Sequence, residues 1–273
     1  MLSAPPRIPL PPTVIDQTTL GHRLLKEHLD AVPHVGWQVD PFGHTAAQAA
    51  LLSAEVGFDA LYFGRLDYED RARRLATKAA EWVWRPSPSL GADAQVFSGL
   101  TGSYSGNYGP PAGFCWDVKC SDEPMQDDPS LDGYNVQSRV ADFVRAARSQ
   151  ANVTRGAHLL FTMGSDYQYE AAEEWFTNLD KLVTHVNAQS AHTGVSASYS
   201  SMDTYVAAKR NDKSVAAWPL KTDDFLPYAD GPHVRAPHHP TASPPLLLPA
   251  PFARLASPRT HTHVPVPQAA SAL

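Results

Sequence analysis

The stretch Val35-Gly36-Trp37-Gln38-Val39-Asp40-Pro41-Phe42-Gly43-His44-Thr45 does most to restrict what this chain can fold into. A short apolar run ends on a carboxylate. A proline and a glycine turn the backbone, and an alanine-rich segment follows at once. That order predicts a strand, a tight connection and a helix, the repeating unit of α/β folds. An acidic residue at the carboxyl end of such a strand points into the site these folds build there. Asp40 is therefore a candidate for chemistry on a rigid support.

The rest of the middle follows the same alternation. Helices are predicted over residues 17–29, 45–56, 68–84, 135–150 and 170–188, from apolar side chains at helical spacing. Thr45 is the expected cap of the second helix and Gly57 its stop. Strands are predicted over residues 34–39, 60–63, 158–163 and 194–200, with a long loop from Arg85 to about Gly133. Strands separated by helices imply right-handed crossovers and a mainly parallel sheet. Four strands are fewer than a closed barrel needs. The expectation is thus an α/β domain, a partial (β/α) barrel-like sheet, covering residues 15–232.

The two ends read differently. Residues 1–14 carry Pro5, Pro6, Pro9, Pro11 and Pro12, and lack the continuous apolar run of a signal peptide. From His233 onward there are nine prolines, three arginines and no Asp, Glu or Lys. Neither end sustains a period that would bury apolar surface against ordering entropy, so residues 1–14 and 233–273 are expected to be disordered. A net charge of −6 gives no basic footprint for nucleic acid. No apolar run approaches the roughly 20 residues of a membrane span.

Three predicted strand ends converge on one face: Asp40, the pair Gly64-Arg65, and Gly164-Ser165-Asp166. Each residue has an ordinary alternative. Asp40 would cap the helix near Thr45, Asp166 the helix near Glu170, and Arg65 would pair on the surface with Asp67 or Glu69. Taken together, two carboxylates flanking a bond are the minimum equipment for glycoside hydrolysis, and an arginine beside one of them keeps it ionised. Tyr104, Tyr108, Phe114 and Trp116 of the long loop are candidates to line a sugar site, against ordinary packing. Asp223-Asp224 reads as a solvated turn. Cys115 and Cys120 are either two free thiols or a local disulfide of an oxidising compartment. Asn152-Val153-Thr154 is an N-glycosylation sequon. The histidines offer no zinc-binding spacing.

Several motifs carry a resemblance: Asp40-Pro41-Phe42-Gly43-His44, Phe63-Gly64-Arg65-Leu66-Asp67-Tyr68, Cys115-Trp116-Asp117-Val118, Met163-Gly164-Ser165-Asp166 and Asp223-Asp224-Phe225-Leu226-Pro227-Tyr228-Ala229-Asp230-Gly231-Pro232-His233. In this order the chain, from about Ile15 to His233, resembles the lysosomal-type α-mannosidases of glycoside hydrolase family 38. The resemblance implies a retaining enzyme that removes terminal α-mannose from N-glycan oligosaccharides in a lysosome or vacuole. It implies one zinc ion, with Asp40 as nucleophile and zinc ligand, Asp166 as acid/base, Arg65 supporting the nucleophile and Tyr108 contacting the sugar. It also implies a disulfide between Cys115 and Cys120. The family's other zinc ligands fall outside the matched stretch: a His-x-Asp motif would precede Ile15 and a histidine would follow His233. The chain by itself is therefore expected to be inactive; the alternative is a carbohydrate-binding remnant without the metal.

Overall fold

The computed structural model describes residues 11–102, 108–232 and 234–235. Helix α1 spans Pro11–Leu29. It starts four residues inside the segment expected to be disordered, with proline tolerated in a first helical turn. Residues 1–10, and the tail apart from Val234 and Arg235, lie outside the described residues.

Strand β1 (Val35–Gln38) and strand β2 (Ala60–Phe63) form where expected and pair in parallel. Between them runs α2 (Ala46–Ala50), continued by one π-helical turn, Leu51–Glu55. Thr45 caps it, its hydroxyl accepting from the Gln48 amide at 3.1 Å, and Gly57 ends the segment at φ +82°.

The segment predicted as one helix over residues 68–84 is two elements. Helix α3 covers Tyr68–Ala76 and strand β3 covers Glu81–Trp84. Lys78, at φ +52°, marks the break. Strand β4 (Val96–Leu100) lies in what the sequence presented as loop, and it is the centre of the sheet. Its Gly99 is obligatory, because a Cβ there would collide with the Tyr62 ring.

The loop continues through the hairpin β5 (Trp116–Asp117) and β6 (Cys120–Ser121) to helix α4 (Val136–Val153). Helices α5 (Ala172–Ala188), α6 (Ser190–Thr193) and α7 (Met202–Arg210) follow. Strand β7 (Leu220–Lys221) closes the main sheet, and β8 (Ala229–Gly231) pairs with β9 (Val234–Arg235). The sheet order is β1-β2-β4-β3-β7. Three pairings are parallel and β3–β4 is antiparallel. The architecture is a mixed α/β sheet with mostly parallel strands.

Two predicted strands are absent. Residues 158–163 join no sheet, and side chains take backbone groups of this segment. The His158 carbonyl accepts from Lys209 Nζ at 3.1 Å and the Leu160 carbonyl from Gln150 Nε2 at 2.8 Å. Residues 194–200 are likewise bracketed by one side chain: Asn187 donates to the Ala197 carbonyl at 2.9 Å and accepts from its amide at 2.8 Å.

The sheet buries aromatic residues on both faces. One face packs Phe63, Trp82 and Trp84 against α2 and Phe225; the other packs Tyr62 and Phe97 against Tyr205 and Val206 of α7. A third cluster joins Phe114 and Trp116 to α4 and α5. Under α7 the fully buried Lys209 ammonium meets Glu81 Oε2 at 2.7 Å. The phenols of Tyr62 and Tyr205 donate to Glu81 Oε1 at 2.9 and 2.8 Å. A charge inside a core survives only when it is paired.

Candidate active site

Pairing of β1 with β2 runs one step past the ladder, the Gly64 amide donating to the Val39 carbonyl at 3.2 Å. Asp40 and Arg65 thus leave neighbouring strand ends side by side, and Arg65 Nε donates to Asp40 Oδ1. Neither takes its ordinary alternative. Thr45 and Asp224, not Asp40, cap α2, Asp224 accepting from the Ala46 amide. Asp67, a surface partner weighed for Arg65, instead caps α3 by accepting from the Glu69 and Asp70 amides.

His44 supports this turn from below. It is buried, stacked on Phe63 with ring centroids 3.8 Å apart, and its Nε2–H donates to the Arg65 carbonyl at 3.1 Å. Burial lowers its pKa from 6.5 to about 4, so the ring is neutral at neutral pH. The segment from Asp223 to Gly231 closes over the turn. Phe225 bridges to the His44 backbone by two hydrogen bonds of 3.2 and 2.8 Å, its ring set among Phe63, Trp82 and Trp84. Tyr228 receives a bond from Arg65 at 3.3 Å and donates to Asp230, whose carboxylate lies 3.6 Å from the same guanidinium. Phe42, half exposed, lies against that guanidinium at 4.3 Å. Arg71 donates to the Gly64 carbonyl, and burial lowers its pKa to about 10.

The sequence reading missed Asp224, Tyr228 and Asp230 as builders of the site. The acidic pair is exposed, as its composition suggested, and Asp224 in addition caps α2. The available signal was aromatic Phe225 and Tyr228 inside an acidic, proline-containing stretch, which marks a packed segment.

Asp166 is presented differently. It sits on an exposed turn with Tyr167 and Tyr169 at φ +56° and +68°. The expected cap of α5 is not made: Ala171 occupies that position with no side-chain bond. Tyr169 stacks on Trp175 at 5.0 Å and donates to the Met163 carbonyl at 2.6 Å. Asp117 Oδ2 accepts from the Trp175 indole and the Tyr169 amide, both at 2.8 Å, and these bonds hold its carboxyl below the usual range. Cys115 and Cys120 are disulfide-bonded with Cα atoms 5.7 Å apart, and Gln168 donates to their sulfurs at 3.3 and 3.5 Å. The bonded hairpin is thus the footing of the Asp166 turn.

Tyr108 joins the halves. Thr162 Oγ1 accepts from the Gly109 amide at 3.1 Å and donates to its carbonyl at 3.0 Å, stitching Tyr108 to the segment before Asp166. The Tyr108 hydroxyl donates to Asp166 Oδ1 at 3.4 Å. Partial burial, then the Asp40 and Asp166 charges and a hydrogen bond with Asp40, raise its pKa. One hydroxyl therefore stands between two carboxylates. Phe114 and Trp116 do not line the site; they are core residues, 1% and 3% exposed. Tyr104 lies outside the described residues.

The donors present do not make up a zinc site. Among the described residues no three His, Cys, Asp or Glu side chains gather to hold a metal. Asp40 is one donor where catalytic zinc takes three.

Residues 7–231 match the N-terminal domain of the glycosyl hydrolases family 38. An α-mannosidase of Arabidopsis thaliana is 49% identical over 220 residues, 81% of this chain and 21% of that protein. The lysosomal α-mannosidase of Homo sapiens is 45% identical over 224 residues, 81% of this chain and 22% of that protein. The fold also resembles the crystal structure of an α-mannosidase from Enterococcus faecalis V583, with a TM-score of 0.50 at 15% identity over 78% of this chain and 20% of that one. The chain spans about a fifth of the length of the relatives it matches. By the match over most of its residues, this chain belongs to the glycosyl hydrolases family 38.

Proposed function

We propose that these residues supply the carboxylates of a retaining α-mannosidase that releases terminal α-mannose from N-glycan oligosaccharides. The observation that carries this is Tyr108, whose hydroxyl donates to Asp166 Oδ1 and whose pKa is raised by partial burial and by the charges of Asp40 and Asp166. Asp40 attacks the anomeric carbon, and its ion pair with Arg65 holds the carboxylate in place. Asp166, exposed on its turn, protonates the departing glycosidic oxygen. It then takes a proton from the water that releases the sugar from Asp40. Tyr108 orients the sugar between them. The resemblance adds a zinc ion, of whose ligands only Asp40 belongs to the described residues. The disulfide and the lysosomal relatives support a lysosomal or vacuolar setting.

The second reading, a carbohydrate-binding segment without turnover, is favoured by the lack of a metal-holding donor cluster among the described residues. It applies to the 273-residue chain on its own, from which we expect neither tight zinc binding nor hydrolysis. A graft separates the two: residues 15–232 replace the matching part of the Arabidopsis relative. The graft should cleave an aryl α-mannoside and release α-mannose first. Asp40→Asn should abolish turnover, and Asp166→Asn should slow it by roughly 10²–10⁴-fold. A folded graft with no turnover would establish the binding reading instead.

A further inference from the structure

The sequon Asn152-Val153-Thr154 takes no part in the carboxylate site. It straddles the end of α4, whose last residue is Val153. Asn152 is exposed, and its side chain makes no hydrogen bond among the described residues. Thr154 leaves the helix with extended backbone, φ −117° and ψ 149°. Beside the sequon lies a groove of about 660 Å³, lined by Lys78, Ala151, Thr154, Arg155, Gly156 and Ser214. Its rim is set: Arg155 donates to the Lys78 carbonyl at 2.7 Å and the Ala217 carbonyl at 2.8 Å. Asn152 itself does not line this groove; its own exposure gives the side chain open space. The Cys115–Cys120 disulfide is an independent sign that the chain passes through an oxidising compartment, where such glycans are attached.

We infer that Asn152 carries an N-linked oligosaccharide, attached before this segment folds. Asn152 Nδ2 forms a bond to the anomeric carbon of an oligosaccharide carried as a polyprenyl diphosphate. The bond from that carbon to the diphosphate oxygen breaks, and the diphosphate leaves with the electron pair. The Nδ2 proton passes to a base of the transferase, and nothing is oxidised or reduced. The order of events follows from Thr154. The transferase must reach a hydroxyl at that position, yet in the folded chain Thr154 is 6% exposed with Oγ1 enclosed. Folding hides the recognition group while leaving the acceptor amide outside.

The test uses the protein purified from its own cells. Trypsin releases Ser149–Arg155 with the sequon inside it. Treatment with peptide N-glycosidase in heavy-oxygen water should yield this peptide chiefly with Asn152 converted to labelled aspartate. Asn152→Gln and Thr154→Ala should remove the corresponding gel shift, and Thr154→Ser should keep it. Recovery of the peptide mainly as unmodified asparagine overturns the assignment, as does a shift that survives Thr154→Ala. For the timing, the transferase is offered a synthetic Ser149–Arg155 peptide and the folded, unglycosylated protein. The peptide should be modified and the folded protein left unmodified; equal modification of both overturns attachment before folding.

Discussion

The two carboxylates are held by different kinds of structure. Asp40 extends from a parallel sheet, with Arg65 beside it, His44 beneath it and the Phe225 segment clamped over its turn. Asp166 extends from an irregular turn held by a disulfide hairpin, a stacked Tyr169–Trp175 pair and bonds to Asp117 and Thr162. A ladder spreads its load over many backbone bonds, whereas side-chain bracing concentrates it in a few residues. The half with Asp40 should therefore yield to changes in the sheet core and to acid. The half with Asp166 should yield to reduction.

The largest effect is expected beneath the sheet. Lys209→Met leaves Glu81 buried without its cation, which should cost about 3–5 kcal/mol. Urea unfolding would show it as a lowered midpoint. A change under about 1 kcal/mol would mean that the two phenols alone satisfy Glu81.

Acid should separate the halves next. The folded pKa of His44, about 4, lies below its unfolded value of 6.5, so the unfolded chain takes up the proton first. Its contribution is fully present above pH 6.5 and is lost as pH falls through 4. The total is about 3 kcal/mol for a shift of this size. Asp212, which holds the Ala157 amide at the foot of the Asp166 segment, has a pKa lowered to about 2 by the Ser214 hydroxyl and the Ala157 amide. Its contribution is present above the unfolded value of 3.8 and is lost only as pH falls through about 2. Hydrogen exchange at pH 5 should therefore show β1 and β2 loosened before residues 157–169. His44→Phe should remove that early loss.

Reduction should give the reverse order. Opening the small Cys115–Cys120 ring costs about 2 kcal/mol by loop-closure entropy. Protection should fall around Gln168 and Trp175 while the Asp40–Arg65 pair is untouched. The smallest effect is Tyr228→Phe, which removes the hydroxyl shared by Arg65 and Asp230, about 1 kcal/mol. It should loosen Arg65 without moving Asp166.

The same contrast explains what could be read from the chain. β1, β2, α4 and α5 follow from strong periodicity, and the adjacency of Asp40 and Arg65 from their places at predicted strand ends, whereas Asp166 was expected at the end of a strand that does not form. β3 hid behind α3 because Ala79, Ala80 and Glu81 are helix formers; burial of Trp82 and Trp84, with Lys209 to pair Glu81, overrides that preference. β4 hid because Gly99 weakens a strand signal, while the close approach of Tyr62 is what requires it. Residues 158–163 have a strand's composition, but their carbonyls bond Lys209 and Gln150, residues that are distant in topology and cannot be inferred from a local window. Tyr228 and Asp230 reach the site only because Phe225 bridges to His44, a contact that no period announces.

The central claim is that Asp40 and Asp166 serve one sugar. A slow fluorinated mannosyl substrate, applied to the graft carrying residues 15–232, traps whatever carboxylate attacks the anomeric carbon. Digestion and mass spectrometry should place the sugar on Asp40, with labelling by a poor leaving group lost in Asp166→Asn. A sugar found on another residue, or no adduct together with inverted product, would contradict the account.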